Sequence, residues 1–108
     1  MGVELSKGKD RLEELGRQVR DACRIGRVEV RLMNDCMVLR DDALRVSQEL
    51  LEHETESAIL EAAGDFREVA CLLDRLIQDL LNYDFAEVEE CLSDLHRCLH
   101  SAESHAGF

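Results

Sequence analysis

Apolar residues recur along this chain at alternating steps of three and four. After Asp84 the series is Phe85, Val88, Leu92, Leu95, Leu99 and Ala102. After Asp65 it is Phe66, Val69, Leu73, Leu76, Leu80 and Tyr83, and after Asp10 it is Leu12, Leu15, Val19 and Ala22. Such spacing lays an apolar seam along one face of a helix and suits near-parallel helix packing. The pattern predicts an all-α fold, an antiparallel bundle of about four helices at 10–25, 28–63, 65–82 and 84–105. Residues 1–9 are expected as a flexible tail ahead of a single domain over 10–106.

The starts of these segments carry their own signal. Asp65-Phe66-Arg67-Glu68 and Asp84-Phe85-Ala86-Glu87 repeat one phrase, and Asp10-Arg11-Leu12-Glu13 is a looser copy. Each fits an Asp capping box, in which the carboxylate accepts from an amide one turn on and the Glu reaches back. Gly64 and Asn82 stand where the preceding helices would close, and Tyr83 with Val88 would form a hydrophobic staple. The junctions Ile25-Gly26-Arg27-Val28 and Ala63-Gly64-Asp65-Phe66 resemble the tight Gly-Asp-Phe/Tyr turn of tetratricopeptide and related αα-hairpin repeats. The resemblance covers these few residues only. The repeat's wider pattern is missing, with no Trp or Pro in the chain. It implies a tight antiparallel turn and nothing further. The apolar series can alternatively be threaded through Gly26 as one continuous helix.

A second helix over 28–63 would be roughly 54 Å long. Its first half is the more apolar, yet it would have one neighbour where the second half has two. Helix 1 covers one side of it and leaves an arc open. Large open apolar patches mark interfaces. Leu32, Met33, Cys36, Met37, Leu44 and Leu51 are therefore the expected partner or dimer interface, for a second copy of the chain or a partner helix. The polar run Glu52-His53-Glu54-Thr55-Glu56-Ser57 interrupts the stripe. It is either a solvated stretch of a continuous helix or a break into two, and the lack of Gly or Pro favours continuity.

Composition agrees with helices packed on helices: 45% apolar, 34% charged, no Pro, and three Phe with one Tyr as the only aromatics. Charge adds an asymmetry. The net charge is −11, but residues 1–51 carry ten acids and ten bases. The excess lies beyond, where fourteen acids face only Arg67, Arg75 and Arg97. That half repels phosphate backbones and anionic lipid, so nucleic acid is excluded as its partner and a protein is expected. No apolar run approaches the length of a membrane span. Five Cys are an odd number with no secretory signal ahead of them, which points to free thiols in a reducing cytoplasm.

Candidate chemistry is thin. Arg17, Arg20, Arg24, Arg27 and Arg31 step by three and four, and would form an anion or acidic-partner stripe if helix 1 ran past Gly26. His96 and His100, four apart with Glu103 beyond, have the spacing of two metal ligands on one helix face. Cys91 and Cys98 lie on another flank, and no Cys-x-x-Cys joins them. Cys23 and Cys36 read as small core residues, and Cys71 as the exposed thiol. Met1-Gly2-Val3-Glu4-Leu5-Ser6 matches the N-myristoylation pattern. Phosphate loops, nucleophile elbows and His-Glu-x-x-His are missing from the sequence. The expectation is a non-enzymatic helical interaction module without a cofactor, self-associating as a homodimer. A metal-binding helical protein and an acylated signalling adaptor are the alternatives.

Overall fold

Once the polar run at 52–57 is allowed to break the chain, the apolar stripes before and after it can fold onto each other. A computed structural model, which describes the backbone of residues 2–106 and the side chains of residues 10–105, takes that course. The helices are α1 (Gly2–Ile25), α2 (Val30–His53), α3 (Ser57–Leu81) and α4 (Val88–Ala106). The fold is all-α, as the periodicity implies. The single long helix over 28–63 is not formed. Glu54 and Glu56 take extended conformations, the Glu54 amide closes α2 on the Leu50 carbonyl at 3.0 Å, and α3 starts anew at Ser57. No Gly or Pro is needed for this turn. Uninterrupted helix would have held two apolar stripes apart in water, and their mutual burial outweighs the few backbone bonds lost at the turn.

The turn expected at Gly64 is correspondingly absent. Gly64 lies within α3, and the apolar series runs through it: Ala62, Ala63, Phe66, Val69 and Ala70 are all buried. Gly26 does make a turn. Its φ of 77° is the left-handed conformation that closes α1, and its amide bonds the Ala22 carbonyl at 2.8 Å. This excludes the continuous helix through Gly26. α1 begins at Gly2 and so takes in most of the stretch expected as a tail. The Asp10 box therefore sits inside a helix. Before α4, the Asp84 carboxylate accepts from the Ala86 amide at 3.4 Å, within a turn that delays the helix to Val88. Tyr83 is left-handed at φ 53°, and its ring meets Phe85 edge-on at 5.9 Å.

Consecutive helices run antiparallel. Arg40 to Asp74 at 2.7 Å and Ser47 to Ala63 at 2.7 Å set the register of α2 on α3. Cys91 to Leu72 and Ser101 to Asp65 set that of α3 on α4. Arg11 to Asp42 and Arg20 to Glu89 tie α1 to α2 and to α4. Each helix thus has two neighbours, and α1 stands diagonally opposite α3. The interior is filled by Leu12, Val19, Cys36, Leu73, Leu76 and Leu92, which are almost fully buried. Each such leucine contributes on the order of 1.5–3 kcal/mol by leaving water.

Candidate interaction face

Closing the bundle sorts the residues expected at an interface into two groups. Leu32, Met33 and Cys36 are buried in the chain's own core. The expectation that they meet a partner is corrected, because the break at 54–56 brings α3 alongside the first half of α2 and covers them. Met37 is half-buried against the core, while Leu44 and Leu51 remain 44% and 56% exposed. Sequence reasoning missed a fourth member, Val30, at 76% exposure. The signal was present: Val30, Met37, Leu44 and Leu51 are spaced by seven residues.

Stepping round α2 at 100° per residue places this line on the edge toward α3, beyond Arg40 and Ser47. On α3 a matching line holds Leu60, Arg67, Asp74 and Leu81. The register fixed by Arg40–Asp74 and Ser47–Ala63 sets Val30 level with Leu81, Met37 with Asp74, Leu44 with Arg67 and Leu51 with Leu60. The outer α2/α3 edge is thus a strip with apolar ends and a polar centre. Leu81 is 56% exposed, and Cys71 is exposed one turn from Arg67. Arg75 and Arg97 pair with Glu87 and Asp94, whereas Arg67 meets no acid among the described residues.

The arginine stripe does not form as one surface. Gly26 divides it, leaving Arg17, Arg20 and Arg24 on α1, Arg27 in the turn and Arg31 on α2. The first three are paired with Glu14, Glu89 and Asp21 respectively. Among the described residues no three His, Cys, Asp or Glu side chains converge as metal ligands, and the pair His96 and His100 gains no third ligand there. The side chains of residues 2–9, which carry most of the acylation pattern, lie outside the described residues, as does Met1.

The histidine that α4 does employ is His105. Its Nδ1 lies 2.7 Å from Asp65 Oδ2, and its Nε2 lies 3.4 Å from Glu61 Oε2. Ser101 Oγ donates to the same Asp65 oxygen at 3.1 Å. Asp65, expected as a helix cap, instead clamps α4 to α3. The arrangement is not a nucleophile relay. The Ser101 hydroxyl and the imidazole both turn to the one carboxylate oxygen, so the order of a serine, histidine and acid relay, with the imidazole between the other two, is not formed. Nothing local in the sequence announces this cluster, whose members are 36 and 40 residues apart.

The thiols divide by depth. Burial pushes the Cys36 thiol up to about 12 and the Cys91 thiol up to about 11. Both stay neutral and unreactive at ordinary pH. They sit on diagonally opposed helices with no Cα pair between α2 and α4 within 8 Å, so a disulfide cannot join them. Comparison with family models, with curated proteins and with solved structures returned no match to this chain.

Proposed function

We propose that this chain is a non-enzymatic helical interaction module, of the adaptor, small-chaperone or regulatory-subunit kind, that self-associates through the outer face of α2. One observation carries the reading. The bundle buries its apolar seams, yet on one edge of α2 it leaves Val30, Leu44 and Leu51 exposed at heptad spacing, with Met37 half-buried between them. A seven-residue apolar repeat outside the core is the pattern that a second helix covers. The α2 side of the strip belongs to the charge-balanced half of the chain, which lowers the repulsion a partner of like charge meets there. The odd number of thiols fits a reducing cytoplasm.

The test is light scattering coupled to size exclusion at micromolar concentration, with Met37→Glu and Leu44→Glu as probes. A dimer that both substitutions dissociate, with helicity kept, supports the reading. A wild-type monomer, or a dimer indifferent to both, overturns self-association through α2.

A further inference from the structure

Resting on that reading, we infer that the second copy docks across a two-fold axis at right angles to the helices, α2 on α2 and α3 on α3, each pair antiparallel. The charge pattern of the strip selects this register. An axis passing between Arg40 and Asp41 of α2 crosses α3 between Ala70 and Cys71, since those points are level in the register that Arg40–Asp74 and Ser47–Ala63 define. The rotation then sets Arg67 against Asp74 of the other copy, and Asp74 against its Arg67. It sets Met37 against Leu44, Val30 against Leu51 and Leu60 against Leu81. Every apolar position meets an apolar one, and Arg67, which pairs with no acid among the described residues, meets a carboxylate that is 58% exposed.

The other two-fold, parallel to the helices, lays α2 on α3 and sets Leu44 on Arg67 and Met37 on Asp74. That buries charge against apolar side chains and is disfavoured. A foreign helix needs neither of the reciprocal pairs, whereas a second copy supplies both. The strip also counts two bases, Arg40 and Arg67, and two acids, Asp41 and Asp74. These four cancel at the centre of the strip on a chain of net charge −11, which lowers the repulsion between copies there.

The dimensions set the strength. From Val30 to Leu51 the strip is roughly 32 Å long, and two helices make it roughly 20 Å wide. That footprint, on the order of 600 Å² per copy, is at the small end of specific interfaces and fits a dimer that forms and separates at micromolar concentration.

The register puts Cys71 of both copies beside the axis, which gives a test that needs no substitution. A short bis-maleimide, which adds one thiol to each of its two double bonds, should join wild-type chains into a covalent dimer. It should fail to join Cys71→Ser. In sedimentation, Arg67→Asp should weaken the dimer roughly tenfold by turning both pairs into repulsions, and Arg67→Asp/Asp74→Arg should recover most of that loss. Positions 67 and 74 are two turns apart on one helix and cannot pair within a chain, so recovery reports the contact between copies. If wild type dimerises and Leu44→Glu dissociates it, while Cys71 stays unlinked or the double exchange fails to recover in a chain of native helicity, this register is wrong. Self-association through α2 then stands. A wild-type monomer overturns both. Where the exchanged chain does not fold, the thiol arm alone decides.

Discussion

Replacing Gly64 by Ala should stabilise this protein, although the sequence around Gly64 reads as a turn. In the structure Gly64 is inside α3, exposed, and a Cβ built there meets nothing within 4 Å. Glycine in a helix interior forfeits about 0.5–1 kcal/mol relative to alanine, mostly through the greater freedom of the unfolded chain. For a domain of this size that gain raises the melting temperature by about 2–8 °C. Gly26 is the control. Its φ of 77° is left-handed, so Gly26→Ala should cost on the order of 1–2 kcal/mol despite equally open space around it. The assay is thermal unfolding followed by the helical circular dichroism signal, at a dilution where association does not contribute. Opposite signs at the two glycines are the expected result. Destabilisation by Gly64→Ala of the size seen at Gly26 would mean that Gly64 closes a helix, and the long second helix would have to be restored.

The remaining expectations concern side chains. Asp65→Ala and His105→Ala should each destabilise, and a double-mutant cycle should show coupling of about 0.5 kcal/mol or more; additive losses would return Asp65 to the role of a simple cap. Under native conditions a thiol-specific reagent should label Cys71 first and leave Cys36 and Cys91 until unfolding; early labelling of either buried thiol would contradict the closed core. Burial raises the Cys36 and Cys91 thiols in the folded state, to about 12 and about 11. Their neutral forms are therefore favoured by folding. That contribution is intact below the ordinary thiol range and is lost as pH climbs through 9 toward those values, so chemical denaturation midpoints should fall over that window. Midpoints that hold constant there would argue that the two thiols are solvated.

The sequence by itself determined the all-α class and most of the core. The steps of three and four marked Leu12, Leu15, Val19, Leu73, Leu76, Leu92 and Leu95 as buried, because helical period and apolar burial act locally on the same residues. At Gly26 it offered a turn and a continuous helix alike; the structure chose the turn, where the left-handed region closes α1 and glycine enters it freely. The sequence also placed Leu44 and Leu51 on an open face. The course of the second helix it left open between continuity and a break at 52–57, and favoured continuity. Local signals put the joint at Gly64-Asp65, with a glycine and a capping box, and left 54–56 without a breaker. The structure puts the joint at 54–56 because four helices of similar length can then cover one another, and burial summed over the bundle exceeds any one cap. The same choice buried Leu32, Met33 and Cys36, gave Asp65 to His105 and Ser101, and brought the α2 line level with Arg67 and Asp74 of α3. Which faces stay open follows from which helices become neighbours, and pairing across 30 to 40 residues leaves no mark on the local sequence pattern.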